Sequence, residues 1–359
     1  MHYEVVSMKT KAIVFTSPKI ARLQERDLKE LGEKDVLVKL EVSSISTGTE
    51  RANLIGEVNV SVNSNATIAR FPRTVGYSSS GIVEAVGEKV DSLSVGDRVS
   101  LSWSKHSEYC IVPESNVHKI VSDDIRFEEA ALWHISTFPM AAIRKCRLEI
   151  GESAIVMGLG ILGLIAIKLL KIAGAAPIIA VDPVASKREL AQKLGADYAF
   201  NPFEEDFIQK VKDVTDGGVN VAIEVTGNGG ALNSVLDCMA KFGRVALLGC
   251  TRNSDFTIDY YKKVHGPGIS LIGAHTGARP KEESSAGYWT THDDVMAVQK
   301  LVQLNRLCLE ELVEETYSPS EAPEVYQRLA EDKAFPITQF DWRRHNAQNQ
   351  NCSDRNKWI

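Results

Sequence analysis

The sequence predicts an α/β protein in which a β-rich amino-terminal region precedes a doubly wound parallel sheet. Up to about residue 120 the apolar runs are short and are separated by Gly, Asp, Ser and Pro, which is typical of strands. From about residue 153 apolar strands alternate with helical segments, which is the pattern of βαβ units. The length of 359 residues, with 44% hydrophobic and 25% charged residues, is enough for two to three globular domains.

The β-rich region contains short alternating runs and no long segment of helical period. The strand candidates are 11–15, 35–45, 80–87, 97–101 and 108–113. A helical period first develops in the second half of the segment 128–146.

The second half of the chain contains six strand candidates, enough for a complete nucleotide-binding sheet. These strands are 153–158, 177–182, 198–201, 219–227, 243–249 and 269–275. The helices between them are 161–173, 185–194, 203–214 and 230–240. A polar stretch begins at residue 276, followed by helices at 293–307 and 320–332, a strand at 335–342 and a polar tail at 343–359.

Charge and hydropathy exclude several classes of partner. Lys and Arg total 41 against 47 Asp and Glu, which gives a net charge of −6 and leaves no basic surface for a dedicated nucleic-acid binder. The longest apolar run, 161–170, is interrupted by Lys168 and is too short to cross a bilayer. The amino terminus lacks the layout of a signal peptide. We therefore expect a cytoplasmic protein with no membrane or nucleic-acid partner.

The cysteine pattern argues against disulfides and structural zinc. The six cysteines lie more than four residues apart, so the chain has no CxxC pair. Free thiols in a reducing compartment are the expected state.

The sharpest motif is Gly158-Leu-Gly160-Ile-Leu-Gly163, between a short apolar strand and a long helical segment. The first glycine permits a tight turn, the second lets the backbone approach a pyrophosphate, and the third lets the helix pack against the sheet. The helix amino terminus at Ile161 and Leu162 then offers N–H groups to the anion. This context predicts a dinucleotide site.

The next strand ends in Asp182, about twenty residues after the motif. A carboxylate there accepts hydrogen bonds from the adenosine ribose and repels a 2′-phosphate, so NAD (NADH) is expected rather than NADP. Lys187 and Arg188 lie on the following helix. Because a nearby cation can accept a phosphate, we expect Lys187 to contact the cofactor.

Later strands end in small or polar residues. In an open parallel sheet the ligand crevice lies outside the carboxyl ends of the strands. The expected neighbours of the nicotinamide half are therefore Val225, Thr226, Gly249, Ala274 and His275.

Together these segments resemble the medium-chain dehydrogenase/reductase superfamily of the alcohol dehydrogenase type. The resemblance runs through residues 9–275, and its most specific part is GYSSSGIVEAVGEKVDSLSVGDRV. It implies a GroES-like catalytic domain (1–135), a Rossmann domain (136–275), a return to the catalytic domain (276–342), a cleft between the domains, and a homodimer or homotetramer. The ISTGTER segment is similar to a zinc-lacking subgroup that includes bacteriochlorophyllide a dehydrogenases.

The departures from the zinc members concern the metal ligands. The first family cysteine falls on Ser46 or Thr47, the histidine on Tyr77, and the third ligand on Trp133. The four-cysteine structural lobe is missing. Hydroxyls and an indole do not replace zinc ligands, so no zinc is expected.

Without a metal, a side chain must handle the alcohol proton. The resemblance places Tyr77 beside the nicotinamide and His106 in the substrate pocket, with Thr49 as a proton relay and Glu50 next to it. Glu50 either orients Tyr77 or pairs with Arg51. The expected pocket lining is Arg51, Trp103, Trp133, His134 and His275.

The sequence thus predicts a zinc-independent, NAD-dependent oxidoreductase that interconverts a secondary alcohol and a ketone on a polar small molecule, such as a sugar, polyol or sugar-like ring. Two alternatives stay open. One is an NADPH-dependent enone or quinone reductase, against which Asp182 counts. The other is a non-catalytic nucleotide-binding protein built on the same fold.

Overall fold

The computed structural model describes residues 8–61 and 67–345. The chain divides into two compact units. The first runs to His134 and resumes at Cys308, and the second comprises Ile135–Leu307.

The first unit opens with the expected succession of strands. Its elements are β1 (Lys9–Ser17), β2 (Ile20–Asp27), β3 (Asp35–Ser44), α1 (Thr47–Ile55), β4 (Arg73–Thr74), β5 (Ser78–Val86), β6 (Arg98–Ser102), β7 (Tyr109–Pro113), β8 (Val117–Lys119) and α2 (Phe127–Ala130).

Two of these elements, β2 and α1, carry no clear signal in the sequence. β2 pairs antiparallel with β1 along its length, but most of its side chains are exposed or half-buried, so it lacks an apolar alternation. The buried residues of α1 are Glu50, Ala52 and Leu54, a spacing that does not follow the helical period. Tertiary contacts therefore decide both elements.

The second unit is an α/β unit with a fully parallel sheet. It contains α3 (Trp133–Lys145, which begins at the end of the first unit), β9 (Ala154–Met157), α4 (Ile161–Ala173), β10 (Ile178–Val181), α5 (Ala185–Leu194), β11 (Tyr198–Phe200), α6 (Phe207–Val214), β12 (Val219–Glu224), α7 (Gly229–Cys238), β13 (Met239–Leu247), β14 (Ser270–Gly273) and α8 (Thr291–Gln303).

In the described chain this sheet has six strands in the order β11-β10-β9-β12-β13-β14, all parallel. β9 and β10 are buried on both faces, as strands covered by helices on either side must be. The strand order reverses between β9 and β12, which is where open α/β sheets bind their ligands. The predicted fold class, a GroES-like β-rich domain with a Rossmann sheet, is confirmed.

The chain then returns to the first unit with β15 (Glu315–Tyr317), α9 (Ala322–Glu331) and β16 (Thr338–Asp341). β16 pairs antiparallel with β3, which also pairs with β5 and β7. The returning segment therefore completes the sheet that carries the amino-terminal strands. The last part of the expected polar tail, residues 346–359, lies outside the described residues.

The return occurs at residue 308 and not at 276 as the sequence suggested. Polar contacts explain the difference, because they hold the segment 276–303 on the second unit. Lys145 Nζ donates to the carbonyl oxygens of Gly273 (2.9 Å) and Ala278. A buried aspartate on α8 adds the second attachment.

This aspartate, Asp294, has no exposed surface and lies between two arginines. Arg144 Nε donates to one carboxylate oxygen at 2.9 Å, and Arg279 Nη1 lies 3.3 Å from the other. Arg144 also stacks on the Trp289 ring, with its Cζ 3.6 Å from the centroid. One carboxylate thus joins α3, α8 and the loop before α8.

Other expectations concern the cysteines and the membrane. Cys110, Cys146, Cys238, Cys250 and Cys308 are free thiols, and Cys352 lies outside the described residues. Burial raises the pKa of Cys146 and of Cys238 to about 12, which keeps both thiols protonated at neutral pH. Within residues 8–61 and 67–345, no helix has the length and apolar character needed to cross a bilayer.

Removing the Asp294 carboxylate is expected to destabilise the second unit strongly. Asp294→Ala leaves two largely buried guanidinium groups without their counter-ion, which costs about 3–5 kcal/mol in the free energy of unfolding. Urea unfolding measures this loss. Lys210→Ala is the matched control, because Lys210 pairs with Glu204 across two 40% exposed side chains of the same unit, and such exposed ion pairs contribute little to stability. Equal losses for the two variants would contradict the role of Asp294.

Candidate active site

The glycine turn after β9 has the geometry that a bound pyrophosphate needs. Gly158 has φ +98°, a conformation that side chains rarely adopt, and Gly160 occupies the N-cap position of α4 without a side-chain cap. The first N–H groups of α4, at Ile161 and Leu162, have no intrahelical acceptor. They are the N–H groups that the sequence analysis expects to face an anion.

Gly163 fixes the approach of α4 to this turn. A Cβ atom at this position would lie 1.9 Å from the carbonyl oxygen of Gly158, so even alanine cannot fit without moving the turn. The third glycine of the motif therefore holds the helix against the strand, as predicted.

Asp182 follows β10 beside the same turn and is 7% exposed. One carboxylate oxygen accepts from the Leu159 N–H at 2.9 Å and the other from the Val184 N–H at 2.9 Å. The carboxylate is thus held next to the glycine turn with a fixed orientation. Arg188 Nη1 donates to the carbonyl oxygens of Asp182 (2.8 Å) and Pro183 (2.9 Å), while Lys187 is half-buried on α5.

A second carboxylate, which the sequence did not single out, organises the end of β12. Glu224 is 2% exposed and accepts from the backbone N–H of Thr226 (2.7 Å) and of Gly227, and from the Thr226 hydroxyl. Burial raises the pKa of the Glu224 carboxyl, and these hydrogen bonds oppose the shift. The only sequence signal is its position as an acid at the end of an apolar strand.

The remaining strand ends of the second unit lie where the topology requires. The Val225 N–H donates to Met157 O at 3.0 Å and the Gly249 N–H to Glu224 O at 2.8 Å, which ties β9, β12 and β13 together at their carboxyl ends. Ala274 is anchored by its N–H to Leu247 O at 3.1 Å. His275 Nδ1 accepts from the Gly277 N–H at 3.1 Å, so this imidazole orders its own loop.

In the first unit, three of the predicted residues form an aromatic cluster: Tyr77, Trp103 and His134. The Tyr77 ring centroid lies 5.9 Å from those of both Trp103 and His134, and the latter two are 4.7 Å apart. Trp103 is 45% exposed and has φ +60°. The backbone N–H of Trp103 donates to the backbone carbonyl oxygen of Tyr77 at 2.8 Å. A large exposed aromatic held in a left-handed conformation is typical of a functional position.

The Tyr77 hydroxyl donates a hydrogen bond to Ser46 Oγ. Ser46 is 4% exposed and precedes α1 as its N-cap residue. The cluster is therefore joined, through one hydroxyl, to the amino terminus of the helix that carries Thr49 and Glu50. Thr49 is half-buried in the first turn of this helix, and its carbonyl accepts from the Asn53 amide at 2.9 Å.

Glu50 and His106 lie beneath this hydroxyl and are both buried, at 1% and 0% exposure. His106 Nε2 lies 3.1 Å from each Glu50 carboxylate oxygen, and Nδ1 lies 2.7 Å from Ser43 Oγ. Contrary to the expectation of a pocket-lining acid or base, His106 has no surface from which to touch a substrate. It acts on the site only through Glu50.

Two further residues complete this set, and no pattern in the sequence singles them out. The Tyr326 hydroxyl, from α9, donates to Glu50 Oε2, and burial, with the Glu50 charge, raises the pKa of Tyr326 well above its usual value. Trp342 Nε1 donates to Ser43 Oγ at 3.0 Å. Both residues come from the returning segment, which pattern reading alone could not bring beside residue 50.

Two predicted pocket residues have other roles. Arg51 does not pair with Glu50. Its Nε and Nη2 donate to the carbonyl oxygens of Leu329 (2.8 Å) and Asp332 (2.5 Å), so it fastens α1 to the end of α9. Trp133 is completely buried and does not line an open pocket. Trp133 is the first residue of α3, which begins with buried residues, and this position accounts for its burial.

Family models match both parts of the chain. Residues 32–123 match the alcohol dehydrogenase GroES-like domain, and residues 162–289 match the zinc-binding dehydrogenase domain. An L-threonine 3-dehydrogenase from Pyrococcus horikoshii is 30% identical in an alignment of 347 positions that covers 87% of this chain and 92% of that protein. The chain belongs to the alcohol dehydrogenase-like medium-chain dehydrogenase/reductase superfamily. It is an NAD(P)-dependent dehydrogenase acting on CH–OH groups, as the sequence predicted.

More distant proteins resemble this chain over most of their own length. A D-guloside 3-dehydrogenase from Escherichia coli K12 is 24% identical, over 89% of this chain and 96% of that one. The crystal structure of benzyl alcohol dehydrogenase from Acinetobacter calcoaceticus superposes with a TM-score of 0.79 at 22% identity, over 93% of this chain and 99% of that chain. This structure supports the fold assignment.

The family implies zinc, but the residues at the matching positions do not fit it. Those positions hold Ser46 or Thr47, Tyr77 and Trp133, and the Trp133 indole offers an N–H, which is a donor and not a metal ligand. Among the described residues, no three His, Cys, Asp or Glu side chains gather where they could hold a metal ion. No catalytic step is therefore assigned to zinc. The glycine turn and Asp182, by contrast, fit a dinucleotide.

Gly163→Ala is expected to weaken NADH binding at least about 100-fold, because the added Cβ displaces the turn that receives the pyrophosphate. Fluorescence titration with NADH measures the loss. Thermal unfolding of the same variant is the control, and a folded protein with unchanged NADH affinity would contradict the assignment of the turn.

Proposed function

We propose that the protein is a zinc-independent, NAD-preferring dehydrogenase that interconverts a secondary alcohol and a ketone on a polar small molecule, such as a sugar, polyol or sugar-like ring. One observation carries the proposal. Tyr77 and Ser46 form a hydrogen-bonded hydroxyl pair, and the family resemblance matches Tyr77 to one zinc ligand and Ser46 or Thr47 to another. This pair replaces a Lewis acid with a group that can donate and accept protons.

Oxidation of an alcohol removes a hydride from carbon and a proton from oxygen. When NAD⁺ is bound, it accepts the hydride. The proton needs an acceptor within hydrogen-bond reach of the substrate oxygen. Tyr77 is half-buried, and its hydroxyl is hydrogen-bonded to Ser46. We assign it the contact with the substrate oxygen. As the phenolate it accepts the alcohol proton and becomes the phenol, and in the reverse direction the phenol donates this proton to the oxygen of the ketone.

The aromatic cluster supports a ring-shaped polar substrate. Trp103, 45% exposed, offers apolar surface that suits the C–H edges of a sugar or polyol, while the Tyr77 hydroxyl suits an oxygen, and the buried His134 ring packs behind them. Both named relatives are dehydrogenases of polar molecules, an amino acid and a glycoside.

Asp182 supports NAD over NADP, since both its oxygens are held beside the glycine turn by backbone N–H groups. An enone or quinone reductase that uses NADPH would have to place a phosphate dianion against this carboxylate. We further propose a cytoplasmic homodimer or homotetramer whose other partner is its small-molecule substrate.

The protein is expected to bind NADH about tenfold or more tightly than NADPH, because the 2′-phosphate meets the Asp182 charge. Asp182→Ala should narrow this ratio mainly by weakening NADH. Titration of both cofactors measures it. Glu189→Ala removes a charge from an exposed position of α5 and should leave the ratio unchanged. Equal affinities of the native protein for both cofactors would refute the NAD preference.

Turnover is expected to be insensitive to metal removal. The protein is dialysed against a chelator and assayed for NAD⁺ reduction over a panel of cyclic polyols, sugars and sugar acids, with and without added zinc. We expect at least one substrate to be oxidised at the same rate in both samples, and elemental analysis to find less than about 0.1 zinc per chain. Loss of turnover on chelation with recovery on zinc would overturn the zinc-independent mechanism. No turnover with any substrate, but normal NADH binding, would favour a non-catalytic nucleotide-binding protein.

A further inference from the structure

The N-cap residue of α1 does not use its side chain in the usual way. A serine at this position normally accepts a hydrogen bond from an N–H of the first helical turn. Ser46 makes no such bond, and its Oγ accepts from the Tyr77 hydroxyl instead. The Ser46 hydroxyl therefore does not cap α1. It contacts Tyr77 instead, the residue that we assign to the substrate oxygen.

Glu50 compensates for the missing cap. Its Oε1 accepts from the Ser46 N–H at 2.8 Å, so the carboxylate reaches back along α1 in the manner of half a capping box. This bond fixes the backbone of Ser46. The Ser46 hydroxyl then has a defined direction, toward Tyr77.

Three hydrogen-bond partners hold the Glu50 carboxylate in place. The Ser46 N–H and the Tyr326 O–H are donors, so they use both carboxylate oxygens as acceptors. His106 Nε2, 3.1 Å from each oxygen, must then be the protonated nitrogen. The carboxylate receives three donors from three separate chain segments.

Ser43 extends this set of hydrogen bonds from His106 to Trp342. Its Oγ accepts from Trp342 Nε1 at 3.0 Å and lies 2.7 Å from His106 Nδ1. Every polar side chain from Trp342 through Ser43 and His106 to Glu50 therefore has a hydrogen-bond partner. A fully satisfied buried network is rigid. We call these residues, with Tyr326, the Glu50 network.

We propose that Ser46 is a positioning residue, whose hydroxyl fixes the Tyr77 phenol toward the substrate oxygen and is itself held in place by the Glu50 network. This role rests on the proposed function. It predicts that Ser46 affects turnover only through Tyr77. A serine that merely stabilised α1 would instead change stability and leave the chemistry independent of Tyr77.

A double-mutant cycle tests the dependence on Tyr77. Ser46→Ala is expected to lower kcat about 10- to 100-fold, with KM and the NADH dissociation constant changed less than about 2-fold, because the contact matters only for the reacting geometry. In the Tyr77→Phe background the same substitution should change kcat less than about 2-fold. Ser46→Thr, which keeps the hydroxyl, should restore most of the turnover. Independent, multiplying effects of the two substitutions would overturn the proposal.

A second measurement does not need turnover. The protein is labelled with 13Cζ-tyrosine, and the Tyr77 resonance is assigned as the one missing from Tyr77→Phe. Ser46→Ala should shift this resonance, because the phenol loses its acceptor. The matched control is Ser79→Ala, which removes a buried hydroxyl bonded to Ser104 Oγ at 2.7 Å and should leave the Tyr77 resonance in place.

The two readouts separate the possible failures. An unmoved Tyr77 resonance in folded Ser46→Ala overturns the contact, whatever the kinetics. A shifted resonance without turnover on any substrate refutes the proposed reaction, and with it the positioning role of Ser46. A shifted resonance with non-additive kinetics supports both. Thermal unfolding of every variant confirms that folded protein is compared.

Discussion

The first unit depends on one buried carboxylate. Glu50 receives donors from the N-cap of α1, from the loop before β7 and from α9, segments that are far apart in the sequence. Removing a buried acceptor that satisfies several donors costs far more than each bond contributes alone, because every donor is left desolvated and unpaired. The position of Ser46, and therefore of Tyr77, follows from this constraint. Arg51 adds a second attachment of α1 to the returning segment, through backbone carbonyls of α9.

The second unit solves a similar problem with two carboxylates at strand ends. Asp182 and Glu224 each accept backbone N–H groups of the turn that follows or adjoins their strand. Such turns carry N–H groups that no strand partner can satisfy. An acid at the strand end satisfies them and at the same time fixes the turn for a ligand. The tight glycine packing at Gly163 leaves the turn no alternative position.

The sequence predicted the sheet of the second unit well, because buried parallel strands read as short apolar runs between helices of clear period. It also predicted the glycine turn and Asp182, which are local features. It did not predict α1, because the buried side chains of this helix do not follow an apolar period and the helix is held by contacts with α9. The same limit explains His106. Its burial depends on Ser43, Glu50 and Phe340, whose ring lies 5.6 Å from the imidazole, and none of these is near it in sequence.

The side chains at the expected metal-ligand positions are hydrogen-bonded and packed against their neighbours. A vacated ligand position in a packed interior is filled by any side chain of suitable size, but random filling would not preserve hydrogen bonding. Here the phenol of Tyr77 finds an acceptor in Ser46, and its ring packs against Trp103 and His134. A zinc ion would polarise the substrate oxygen as a Lewis acid, whereas a hydroxyl pair acts on it by hydrogen bonding and proton transfer. The proposed catalysis without zinc therefore depends on which side chains lie at these positions and on how they are held.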